Sequence, residues 1–171
     1  MSSLLLGVGN ILLQDEGIGV RVIEEFERRY QAPNGLDVLD GGTSGFDLLD
    51  HIANRKHLII VDAVKTGDPP GTIIRLEGER VPAFFLKKIT PHQLGISDVL
   101  AATTLRDEQP EDIVLIGIVP ETMDTGLELS AGIAAKVDTL IEMVLEELAA
   151  RDLTPEAIPN GGTAAEASRT T

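Results

Sequence analysis

Cysteine is absent from the 171 residues, which excludes disulfides, thiolate nucleophiles and Cys-ligated zinc together. Any metal met by this chain must be met by oxygen and imidazole nitrogen. Positive charge is scarce as well: 14 Lys and Arg stand against 28 Asp and Glu, a formal net charge of -14. Such a surface repels phosphate backbones, so nucleic-acid binding would need a basic patch. The short pairs Arg55-Lys56 and Lys87-Lys88 read as solvated surface instead. No Lys or Arg precedes Arg21, and the N-terminal apolar run is broken by Gly, Asn and then acid. That fits neither a signal peptide nor a membrane span, and a soluble, cytoplasmic protein with no membrane partner is expected. Several catalytic signatures are missing too. H-E-x-x-H and the P-loop do not occur, and the opening GVGN has Leu12 where a dinucleotide turn needs its third glycine. In GGTSGF at 41 to 46, Phe46 replaces the last glycine of a nucleophile elbow, which demotes Ser44 as a nucleophile.

What is present is a repeating strand and helix pattern. The length suits one domain, and 43% hydrophobic content suits a globular core. SLLLGV at 3 to 8 reads as a buried strand, followed by apolar positions near helical spacing from Ile18 to Phe26. LDVLDGG at 36 to 42 reads as a second strand, with an amphipathic helix through Phe46, Leu48, Leu49 and Ile52 after it. HLIIVDAV at 57 to 64 is the clearest central strand, because an unbroken apolar run needs cover on both faces. GDPPG at 67 to 71 is a turn leading into an edge strand, GTIIRLE. Residues 80 to 91 give no clear pattern; SDVLAATTL at 97 to 105 predicts a helix capped by Ser97, and DIVLIGIVP at 112 to 120 a last strand. From Ser130 to Leu148 the spacing predicts one long helix lying on a sheet face. The expected fold is a single-domain α/β, three-layer αβα structure over residues 1 to 150, with a mostly parallel sheet of about five strands and helices on both faces. Residues 151 to 171 are expected to be a disordered tail.

In such sheets ligands bind beyond the carboxyl ends of the strands. Asp40 ends the second strand, Asp62 ends the run LIIV, and Glu16 lies in the loop leaving the first strand. Three acids are therefore expected at one edge. Each also has an ordinary reading. Asp62 suits acceptance of backbone N–H groups from the 63 to 66 loop, Glu16 suits a helix's first turn, and Asp40 suits the turn before Gly41-Gly42. Asp15, beside Glu16, suits capping or orienting its turn. A metal site built on these acids would want an imidazole. His51 and His57 read as structural or exposed, whereas His92, in TPHQLGISDVL, sits in a loop from which it can face the sheet edge. Glu, Asp and His together suit zinc, nickel or a similar divalent ion with coordination positions left open.

Taken in order, GVGNILLQDEGIGV, DGGTSGFDLL, IIVDAVKTGDPPGTI, PHQLGISDVL and GIVPETMDTGLELS resemble the hydrogenase maturation proteases over about residues 1 to 150. The resemblance implies a three-layer αβα fold and metal contacts by Glu16, Asp62 and His92. It implies an endopeptidase that removes a C-terminal extension from the precursor of a nickel-iron hydrogenase large subunit once nickel is in place. The nickel is then cargo of that precursor, other divalent ions being able to take its place in vitro. Asp40 matches a further family acid, so Asp40, Glu16 and Asp62 form the expected catalytic set. The lack of thiols agrees with this picture, because oxygen ligands and one imidazole compete poorly for nickel held by sulfur. Two rival readings remain: a non-catalytic chaperone for the loaded precursor, and a phosphate or nucleotide binder using GVGN, which the acids disfavour by repelling anions.

Overall fold

The run Leu58–Val61 has no exposed side chain, and the computed structural model shows what covers it. Residues 2–42, 45–87 and 93–159 are described, without the side chains of 45, 46, 87 and 93–95. Five strands form the main sheet: β1 (Ser3–Val8), β3 (Leu36–Gly42), β4 (His57–Ala63), β5 (Ile73–Glu77) and β6 (Asp112–Ile118). Their spatial order is β3-β1-β4-β6-β5. All neighbours are parallel except β5, which lies antiparallel on β6 at the edge. The expected three-layer αβα fold is the one observed.

The helices complete it. On one face α1 (Ile18–Arg29) and α6 (Val137–Ala149) bury Val22, Phe26, Ile141 and Leu148 against Ile59 and Ile116 of the sheet. On the other, α2 (Leu49–Ile52), α3 (Arg80–Lys87) and α4 (Gln93–Leu105) bring Ile52, Val81, Phe85 and Val99 onto Leu4 and Ile60. Alternate residues of β4 thus feed two separate cores, as the two-residue period of a strand requires. From β1 the chain passes to β3 on one side and then returns to β4 on the other. The crevice between the carboxyl ends of β1 and β4 is therefore the topological switch point, where ligands bind in sheets of this kind.

Several helix boundaries differ from those the sequence predicts. The helix expected through Phe46 is a 3-10 turn, Gly45–Leu48, followed by the single turn of α2. Ser97 lies inside α4, which starts at Gln93, so it is not the cap. The stretch expected as one helix from Ser130 breaks into α5 (Ala131–Ala134) and α6, with Lys136 at the junction. The silent segment at 80 to 91 contains α3.

The expected disordered tail from Arg151 is corrected for residues 151 to 159. Asp152 takes a positive φ of 58° that turns the chain, and Leu153 N–H donates to Leu148 O at 2.9 Å. Glu156–Ala157 (β7) then pairs antiparallel with Tyr30–Gln31 (β2). A two-residue strand has too little pattern to announce itself, and Arg151, Leu153 and Pro155 are drawn in by the body they meet. The expected remainder, 160 to 171, lies outside the described residues.

At the amino end of β6 a charged network ties α6 to the sheet. Arg151 Nε donates to Asp112 Oδ2 at 2.6 Å and its other nitrogen to Glu147 Oε2 at 2.7 Å. Arg75 also donates to Glu147, and His57 Nδ1 lies 3.0 Å from Asp112 Oδ2. His57 is thus structural, as the sequence suggests. Hydrogen bonds from Arg75, then Arg151, hold the Glu147 carboxyl below its ordinary range despite the opposing effect of burial. An acid depressed in the folded state adds stability above its unfolded pKa and loses it as pH falls through the folded value. The thermal midpoint should therefore drop from about pH 4.5 downward, the ordinary glutamate range. Glu147→Gln should flatten that drop while lowering the midpoint at neutral pH; parallel acid profiles for the two proteins would reject the account.

Candidate active site

The loop leaving β1 has to fold back sharply to bring an acid over the strand ends. Gly9 makes this possible: its φ is +129°, and a Cβ there would lie 1.9 Å from Glu16 O. Only glycine tolerates both the dihedral and the backbone lying against it. The chain then forms a 3-10 turn, Gln14–Gly17, ahead of α1. In this turn Asp15 is fully buried and Glu16 is 3% exposed.

Asp62 stands one residue short of the carboxyl end of β4, at 2% exposure. Its carboxylate accepts a hydrogen bond from Ala63 N–H, so the ordinary turn reading of this residue is partly realised. It is not sufficient, because Oδ1 is buried and has no hydrogen-bond partner among the described residues. Burial pushes the Asp62 pKa well up, the Ala63 bond opposes this, and the negative charge of Glu16 pushes it up further. Glu16 has further interactions of its own. A buried carboxylate facing a second one is costly unless a proton or a cation reaches it.

Asp40 does not join this pair. On β3 it is level with Gly7, and Gly7 is level with Val61, so Asp40 stands two strand spacings, roughly 10 Å, from Val61. Being level with Val61 rather than Asp62, it faces the opposite side of the sheet by strand alternation. Its side chain is exposed, and its Oδ1 accepts the Gly42 N–H at 2.9 Å, which is the turn-forming role. The expected convergence of three acids is therefore a convergence of two. No group of three or more His, Asp or Glu able to hold a metal exists among the described residues. His92, the expected third ligand, lies outside them.

The structure adds a residue whose weight the sequence conceals. Asp15 accepts hydrogen bonds from Glu121 N, Thr122 N and both Ser130 N and Oγ. A charged residue inside an apolar stretch beside Glu16 was the available signal; its partners, more than a hundred residues away, left none.

These features define the class: a doubly wound α/β domain with an acid-lined crevice at its switch point and no thiol. A model of the hydrogenase maturation protease family matches residues 20–147. The chain is 48% identical over 160 residues to the hydrogenase 2 maturation protease of Escherichia coli, covering 93% of this chain and 96% of that one. It is 41% identical over 148 residues to the hydrogenase expression/formation protein HupD of Thiocapsa roseopersicina, covering 85% and 67%. Among solved structures, the hydrogenase maturating endopeptidase HybD from Escherichia coli superposes with a TM-score of 0.89 at 45% identity, covering 92% of this chain and 98% of that one. A maturation protease from Thermococcus kodakarensis gives 0.69 at 29%, covering 86% and 99%. The chain belongs to the hydrogenase maturation protease family and is an endopeptidase of that kind. No helix among the described residues is long and apolar enough to cross a membrane.

Proposed function

We propose that this endopeptidase removes a C-terminal extension from the precursor of a nickel-iron hydrogenase large subunit, in the cytoplasm, after nickel has been inserted. Glu16 and Asp62, together with His92, dock onto the nickel that the precursor already carries. The observation that carries this reading is Asp62 Oδ1, a buried carboxylate oxygen without a hydrogen bond, held beside the negative charge of Glu16. A site left electrostatically incomplete in this way is completed by a cation brought from outside, and oxygen and imidazole donors suit a divalent ion. A precursor lacking metal leaves the acids facing each other and is gripped poorly. Substrate-borne nickel thus acts as the credential for cleavage.

With no thiol in the chain, hydrolysis falls to water activated by carboxylates. Asp40 makes no metal contact, since it stands on the opposite face of the sheet from Asp62; the part proposed for it in proton transfer is confined to substrate that passes the end of β3. When bound, the nickel supplies positive charge that polarises an adjacent carbonyl. Glu16 and Asp62 hold the ion, and with it the substrate's orientation.

The test is to incubate purified protein with nickel-loaded precursor and weigh the product. Loss of a C-terminal peptide is expected, with intact mass for metal-free precursor. Glu16→Gln, Asp62→Asn and His92→Gln should each lower the rate beyond the about 10–100-fold typical of groups one shell removed from a metal. Normal processing by any one variant would remove that residue from the ligand set. An intact precursor held in a stable complex by the wild-type protein would instead make it a binding module.

A further inference from the structure

Asp15 satisfies its charge on one distant segment. Three donors converge on Oδ2: Glu121 N at 3.0 Å, Thr122 N at 3.0 Å and Ser130 Oγ at 2.8 Å. Oδ1 accepts Ser130 N at 2.7 Å. Both ends of the 121–130 loop are therefore fastened to a single carboxylate. The fastening is extended along the backbone. Asp15 N–H donates to Thr122 O at 3.2 Å, Gln14 N–H to Gly126 O at 3.0 Å, and Gly126 N–H to Leu12 O at 2.8 Å. Gln14 itself sits at a φ of 48°, an unfavourable region for a side-chain-bearing residue that persists only where surrounding bonds enforce it.

The two segments joined both follow the carboxyl ends of strands of the main sheet, β1 and β6. One is the 3-10 turn that carries Glu16. The other forms a wall of a cleft of about 400 Å³, where Glu121 and Met123 face Lys65, Asp68 and Pro70. Those last three belong to the loop that follows β4, the strand carrying Asp62. A carboxylate with four donors on two oxygens is a specific solution. An asparagine keeps only one accepting oxygen and presents an NH2 group to the other side, where Ser130 N–H also donates.

We propose that Asp15 is a positioning residue: by clamping the 121–130 loop to the 14–17 turn it sets Glu16 opposite Asp62 and fixes the wall against which the substrate peptide lies. This rests on the peptidase reading above. A small misplacement of a group that orients substrate costs up to about 100-fold in rate.

Asp15→Asn and Ser130→Ala test it, each compared with wild type for kcat and KM on nickel-loaded precursor and for hydrogen exchange at Glu121, Thr122 and Ser130. Asp15→Asn is expected to fold, to exchange these amides at least about 10-fold faster, and to lose about 10- to 100-fold in kcat with KM changed less than about 3-fold. Ser130→Ala, which deletes one of the four donors, should lose about 3- to 10-fold in kcat. The double variant should be no worse than Asp15→Asn, because both changes cut the same clamp. A purely structural Asp15 would lower the thermal midpoint and leave kcat of the folded protein unchanged, which overturns the proposal. Should Asp15→Asn not fold, unchanged kcat in Ser130→Ala overturns it alone. Wild-type protein that cuts no precursor refutes the peptidase reading itself, whereas unchanged amide exchange in both variants refutes the clamp whatever the wild type cuts.

Discussion

Asp62→Asn is expected to make the metal-free protein more stable while abolishing precursor processing. The wild-type carboxyl is 2% exposed, has an oxygen without a hydrogen bond and feels the charge of Glu16. An amide of the same shape carries no charge to desolvate, and it can donate to a neighbouring carboxylate where a second carboxylate only repels it. The expected gain is about 1 kcal/mol, the usual return when a functional strain is relieved, or about 2–4 °C in Tm for a chain of this size. Its pH dependence has a definite sign. An acid whose pKa is raised by folding contributes nothing adverse below its unfolded pKa, about 3.9 for aspartate, and costs stability increasingly as pH climbs toward the folded value. The Tm advantage of the variant should therefore widen from acid toward neutral pH. Thermal melts in the presence of a chelator, with product mass measured in parallel, decide the matter. A variant that melts lower than wild type at neutral pH would show that the buried acid is satisfied in some other way.

Gly19→Ala is expected to be among the most damaging single-methyl additions in the chain. A Cβ on Gly19 would lie 2.1 Å from Val61 O, 2.5 Å from Val8 O and 2.9 Å from Val8 N. All three are backbone atoms of paired strands, so none can swing aside. The first turn of α1 would have to lift off the sheet, and the turn carrying Glu16 would lift with it. Overpacking of this kind costs about 3 kcal/mol or more, equivalent to roughly 6–12 °C, and activity should fall further than stability. Gly35→Ala is the comparison, since nothing lies within 4 Å of its added Cβ; its positive φ alone should cost about 1 kcal/mol. Denaturant unfolding of the two variants measures both. Equal losses would show that the helix accommodates the methyl by sliding.

Much of this architecture is legible in the sequence because its central strands are unbroken apolar runs. LLLGV and LIIV state two-sided burial directly, and the glycine-broken loop between them and α1 announces a return toward the strand ends. Glu16 and Asp62 follow from the same rule. Asp40 does not, because being at the end of a strand fixes its height but not its face, and one residue of register turns a side chain to the other side. The helix breaks near Ala135 and the early start of α4 are also hidden. At the first, Lys136 N–H turns to Ile133 O, a tighter bond that closes α5 before α6 begins, and no local pattern announces it. At the second, Ser97 carries a side chain that favours caps over helix interiors, yet it lies buried inside α4, where packing overrides the local preference. Asp15 shows the limit most clearly: neighbouring letters reveal that it is charged and enclosed, while its meaning lies in a loop brought beside it only by the finished fold.

Asp62 stands on β4 and Glu16 on the turn that follows β1, and these adjacent strands are held in register from Leu4 with Leu58 to Gly7 with Val61. The 121–130 wall is coupled to the Glu16 turn through Asp15, whereas the 67–71 loop is fastened to Val119 instead, by Gly71 N–H, and is at liberty to diverge without retuning the calliper beneath it.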